Sequence, residues 1–91
     1  MAIIANAEID RALAQTPWNR DGDEIVRVVK RANFAEALAF VNEVGRLAEE
    51  ADHHPDIDIR WDTVTLRLST HSAGGITEAD LALAQSIDEA G

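Results

Sequence analysis

Proton chemistry near neutral pH would fall to three histidines in this sequence, because it has no cysteine and imidazole alone titrates there unperturbed. Two are adjacent, His53 and His54, in the stretch D-H-H-P from Asp52 to Pro55. The third, His71, opens H-S-A-G-G after a run of alternating apolar residues. Carboxylates lie close in sequence or in the next element: Glu49, Asp52 and Asp80. An imidazole can donate or accept a proton, and a carboxylate beside it can hold its tautomer. No Ser or Lys stands in a nucleophile motif, so an enzyme built from these residues would work without a covalent intermediate. Three imidazoles and a water would form a catalytic zinc set. Adjacent side chains diverge, however, and no His-x-x-x-His pair shares a helical face. The spacing favours metal-free acid–base work.

Each candidate also has a structural explanation. His53 and His54 at a helix end can offset the negative pole of the helix. Pro55 drives His54 out of helical geometry, yet Gly or Asn would stop a helix more simply. His71 can be a satisfied strand-end histidine. Asp80 is the acid of a Thr-x-x-acid capping box in T-E-A-D. Trp61 is expected in the core rather than as a stacking platform.

These residues need elements to hold them. A first helix is expected over about residues 7–15, capped by Asn6, with Ile9 and Leu13 inward and Pro17 ending it. N-R-D-G-D (residues 19–23) is a turn with Gly22 free to take a positive φ. It joins a short strand near Trp18 to the β-branched run E-I-V-R-V-V-K-R. From Phe34 the period changes. Phe34, Ala37, Leu38, Val41, Val44, Leu47 and Ala48 mark one face of a helix to about Ala51, with Phe40 flanking and Asn33 as cap. Gly45 inside it suggests close packing against the sheet. Alternation then returns in Ile57, Ile59 and Trp61, and in Val64, Leu66 and Leu68, with a tight connection near Asp62. T-E-A-D opens a last helix with Leu81, Ala84 and Ile87 inward and Leu83 flanking. The order α-β-β-α-β-β-α implies an α+β two-layer sandwich, a four-stranded antiparallel sheet with helices on one face. Residues 1–91 read as a single domain.

Composition narrows the function classes. Eight Lys and Arg against 17 Asp and Glu give a net charge of −9, which repels nucleic-acid backbones. The one basic cluster, Arg27, Lys30 and Arg31, reads as the solvated face of a strand. No run approaches the roughly 20 apolar residues of a membrane helix. The acidic, unbasic N-terminus does not read as a signal peptide. The expectation is a cytoplasmic protein with no nucleic-acid or membrane partner.

E-A-D-H-H-P, followed by W-D-T-V-T-L-R-L-S-T-H-S-A-G-G-I-T-E-A-D, resembles the pterin-4a-carbinolamine dehydratases. The opening N-A-E-I-D-R-A-L-A-Q-T-P-W extends the likeness over nearly the whole chain. The resemblance implies an α+β homodimer or homotetramer that dehydrates 4a-hydroxytetrahydropterin to quinonoid dihydropterin, a hydro-lyase without metal or organic cofactor. It implies that His53 and His71 match the acid–base positions and His54 a pterin-contacting one. Pro55 would shape the pocket wall. Glu49, Asp52 and Asp80 would orient imidazoles or meet the pterin's N–H donors. Ile57 and Ala79 depart from the aromatic and the arginine of some members, which bears on pterin affinity. Val29 and Arg31 replace aromatics, which bears on assembly. Animal relatives double as dimerisation cofactors for a transcription factor. The rival expectations are therefore a non-catalytic dimeric interaction module and a pterin-binding protein on the same fold.

Overall fold

The structure, a computed structural model, describes residues 2–91. The chain forms α1 (Asn6–Leu13), β1 (Asn19–Asp21), β2 (Glu24–Lys30), α2 (Phe34–Ala51), β3 (Asp56–Arg60), β4 (Thr63–Leu68) and α3 (Glu78–Ala90). The four strands make one antiparallel sheet in the order β1-β2-β4-β3. This is the expected two-layer α+β arrangement. Asp21 pairs with Glu24 across a turn in which Gly22 takes φ +61°, a conformation that costs glycine nothing.

Pleating puts alternate residues on opposite faces, and one face is the core. Ile25 lies opposite Leu68 and Val29 opposite Val64, with Leu66 between. All five are buried against Ile9 and Leu13 of α1, Ala37, Phe40, Val44 and Ala48 of α2, and Leu83, Ala84 and Ile87 of α3. Each large aliphatic side chain taken fully from water contributes roughly 1.5–3 kcal/mol, so this face organises the fold. Trp18 is also buried, and its indole Nε1 donates to Asp88 Oδ1 at 2.9 Å. The same oxygen accepts from Arg27 Nη1 at 2.8 Å, which ties β2 and α3 together.

Several expectations change. Asn6 is not the cap of α1. Ala5 holds that position without a side-chain bond, and the helix stops at Leu13, where Thr16 Oγ1 donates to the Leu13 carbonyl at 2.8 Å. The buried stripe of α2 is rotated: Phe40 is inside, while Phe34 and Leu38 are exposed. Ala37, Phe40, Val44 and Ala48 are the α2 residues that the other elements cover, and Phe34 and Leu38 are left outside that cluster. Leu83 is buried and Leu81 only partly so. Arg27 and Arg31 are not simply solvated: their guanidinium carbons lie 5.8 and 4.7 Å from the Phe40 ring centroid, within cation–π range. Gly45 is not explained by close packing, because a Cβ placed there meets nothing within 4 Å. Trp61 is not core. It sits in the β3–β4 turn at φ +54° and is 71% exposed.

Candidate active site

The C-terminus of α2, the segment after β4 and the N-terminus of α3 meet at Asp80. Asn33 starts α2 with its Oδ1 accepting from Glu36 N at 2.9 Å. The other end closes on Asp52, whose left-handed backbone (φ 50°, ψ 43°) terminates the helix. Asp52 N donates to the Glu49 carbonyl at 3.2 Å and His53 N to the Ala48 carbonyl at 3.1 Å. This pair of bonds is the Schellman arrangement. It turns the chain so that His53 points inward and His54 outward.

His53 is little exposed at its side chain, and its Nε2 lies 2.5 Å from Asp80 Oδ1. Asp80 itself is fully buried. Its other oxygen, Oδ2, accepts from Thr77 N at 2.9 Å and from Thr70 Oγ1 at 2.8 Å. Thr77 Oγ1 lies 2.8 Å from Thr70 Oγ1. Thr70 Oγ1 donates to Asp80, and the two hydroxyls stand within hydrogen-bond distance of each other. Burying a carboxylate is costly unless donors meet it, and here three do. The expected Thr77–Asp80 capping box is present, with His53 as an additional client of the same carboxylate. Facing an acceptor-only carboxylate, Nε2 carries the proton, an assignment made from this bond. Nδ1 makes no hydrogen bond among the described residues.

His54 Nε2 is 2.7 Å from Glu49 Oε2 in an exposed pair. Pro55 is half-buried and Asp52 exposed. His71 is exposed on a loop closed by its neighbour: Thr70 N donates to the Gly75 carbonyl at 2.8 Å, and the Thr70 carbonyl accepts from Ala73 N and Gly74 N. Gly74 takes φ +79° in that loop. The structure thus joins His53 to Asp80 directly and makes His71 the residue after Thr70, whose side chain reaches the same carboxylate. It sets His54 and Glu49 on the outside and uses the Asp52 backbone as a helix stop. Among the described residues no three His, Asp or Glu side chains converge as a metal-ligand set. A groove of about 370 Å³ runs along α2 from Glu36 to Leu47 beside the end of α3, and its lining includes none of the histidines.

Thr70 and Thr77 are the participants that the candidate set omitted. Thr70 follows Val64, Leu66 and Leu68 at two-residue spacing, a polar residue in phase with the core. A buried hydroxyl requires a partner, which was the available signal.

Such a site, an imidazole anchored by a buried carboxylate on a small α+β sandwich, is equipped to move protons. The family model for pterin 4 alpha carbinolamine dehydratase matches residues 3–90. A protein of Chloroflexus aurantiacus provisionally named a pterin-4-alpha-carbinolamine dehydratase is 56% identical over 90 residues, covering 98% of this chain and 97% of that one. A Nocardia farcinica protein of the same provisional name is 53% identical over 88 residues, covering 96% and 93%. The crystal structure of a Brucella melitensis protein titled a transcriptional coactivator/pterin dehydratase superposes with a TM-score of 0.88 at 30% identity over 96% of both chains. A pterin dehydratase-like protein described as a RuBisCO assembly factor in the alpha-carboxysome shares the fold, with a TM-score of 0.68 at 24% identity, covering 82% of this chain and 89% of that one. The chain belongs to the pterin-4a-carbinolamine dehydratase family.

Proposed function

We propose that this protein dehydrates 4a-hydroxytetrahydropterin to quinonoid dihydropterin and water. In that reaction the C4a–O bond breaks, a proton joins the leaving hydroxyl, and another leaves the adjacent ring nitrogen as the C4a=N bond forms. The step is redox-neutral and needs one acid and one base, each worth typically about 10²–10⁴-fold when positioned. His53 and His71 fill those two roles. The observation that supports this most is the bond from His53 Nε2 to the buried Asp80, because it leaves Nδ1 to face a substrate. His54 contacts the pterin. The carboxylates of Glu49 and Asp52 accept from its amide and amino groups, and Pro55 forms part of the pocket wall. No organic cofactor or metal enters this scheme. No described helix is long and apolar enough to cross a membrane, and a cysteine-free chain acting on a small polar molecule fits the cytoplasm.

The test is turnover of freshly generated 4a-hydroxytetrahydropterin followed by ultraviolet absorbance. Wild type should exceed the spontaneous rate, unchanged by chelator, and His53→Ala and His71→Ala should each lose roughly 10²–10⁴-fold. A wild-type rate equal to the spontaneous one would overturn the assignment.

Self-association belongs to the same reading. β3 ends the sheet, and Ile57 within it and Trp61 just after it leave apolar surface exposed, as do Phe34 and Leu38 of α2. An open edge flanked by apolar side chains invites a further strand, which favours a homodimer, or a tetramer built from it. Interaction without catalysis is the second reading, supported by the same exposed surface. Tight binding of an oxidised pterin without turnover would favour it.

A further inference from the structure

We propose that Thr70 is a positioning residue, one that fixes through Asp80 which nitrogen of His53 meets the substrate. The inference rests on the dehydratase reading for its kinetic consequence, but not for its structural one. Asp80 has two oxygens with distinct duties. Oδ1 receives His53 Nε2, and Oδ2 receives Thr70 Oγ1 and Thr77 N. Thr77 N is committed by the helix cap. Thr70 Oγ1 is the side-chain donor that pins the carboxylate from the opposite side, and it is itself held by Thr77 Oγ1 at 2.8 Å. With both donors on Oδ2, the carboxylate plane is set, and Oδ1 is left to His53 Nε2.

Thr70 is also where the two histidine-bearing segments join. Its backbone bonds to Gly75, Ala73 and Gly74 close the loop that begins with His71. Its side chain reaches the carboxylate that holds His53. One residue therefore couples the placement of both imidazoles, through backbone for one and hydroxyl for the other. Thr70→Val keeps the branched shape and every backbone bond but removes the hydroxyl. Asp80 Oδ2 then retains Thr77 N as its remaining donor of this set, and the carboxylate can rotate about its Cβ–Cγ bond. The fixed preference for Nε2–H weakens, and Nδ1–H becomes populated. A hydroxyl that merely satisfied its own burial would lower stability without touching the tautomer.

The experiment compares wild type, Thr70→Val and Thr70→Ser by nitrogen NMR of histidine-labelled protein above neutral pH, together with kcat, KM and the thermal midpoint. Wild-type His53 should show the Nε2-protonated tautomer. Thr70→Val should show a mixture and lose roughly 10–100-fold in kcat, the scale on which partners that orient a histidine act, with KM within about twofold. Thr70→Ser should restore both readouts. Unchanged tautomer and kcat in Thr70→Val would overturn the proposal, and so would a loss that Ser does not rescue. Should the valine variant fail to fold, a wild-type spectrum with the proton on Nδ1 would still refute it. Wild type lacking turnover while His53 keeps Nε2–H would instead count against the dehydratase reading and leave the positioning role standing.

Discussion

Asp80 performs two tasks with one carboxylate. It caps α3 through Thr77 N and anchors His53 through Nε2. The tasks can be separated chemically. In Asp80→Asn the amide oxygen still accepts from Thr77 N and Thr70 Oγ1, so the cap survives and stability should fall by only about 1–2 kcal/mol. The amide N–H₂, however, now faces Nε2 and requires it to accept. The proton moves to Nδ1, the nitrogen that the proposed reaction turns toward substrate, and kcat should drop roughly 10²–10⁴-fold. Denaturant unfolding and pterin turnover on the same preparation check this; a large stability loss with activity falling in parallel would refute it. The capping role was legible in T-E-A-D. A role in orienting an imidazole came only from the family resemblance, because the link to His53 depends on α2 ending beside the start of α3, and no local spacing encodes that.

At the scale of elements, the strands and helices follow from hydrophobic period, and the apolar residues misplaced by it include Phe34, Leu38 and Trp61. Phe34 and Leu38 have the spacing of core residues in α2, but the helix rolls toward α3 and buries Phe40 instead. Trp61 continues the alternation of Ile57 and Ile59, but the turn begins at that residue and carries the ring away. Both errors have one origin. Periodicity states that a face is apolar, not whether the fold supplies a layer to cover it. Gly45 offers a measurement on α2. Its backbone is ordinary helix and a Cβ meets nothing in the chain, so Gly45→Ala should stabilise the protein by about 0.5–1 kcal/mol in urea unfolding. Destabilisation would mean that another chain packs closely against α2 at that point.

For the whole molecule, the question is what completes β3, and its charge pattern selects one answer. Asp56, Asp58 and Arg60 share the outer face with Arg67, Thr65 and Thr63 of β4. If a second copy adds antiparallel about a two-fold at Ile59, Asp58 of each chain lies opposite Arg60 of the other. Shifting the axis to Asp58 sets that carboxylate against its own copy, an unfavourable like-charge pair. A one-residue shift would place inner residues opposite outer ones. Within each chain Arg60 Nε already lies 3.2 Å from Asp58 Oδ1, so the Ile59 register builds a four-charge cluster from two existing pairs. Opposed cross-strand charges contribute roughly 0.2–1 kcal/mol per pair, and the two-fold doubles every change. Arg60→Asp should therefore weaken the dimer, Asp58→Arg likewise, and the double exchange should restore it, read as mass by light scattering across a dilution series. A monomeric wild type, or a double variant no better than the singles, would refute the register. The seam would also reach the chemistry. β3 begins at the residue after Pro55, so a strand locked by its partner fixes the exit of the His53–His54 segment. Variants that dissociate the dimer should accordingly lose part of their turnover, and the double exchange should recover it.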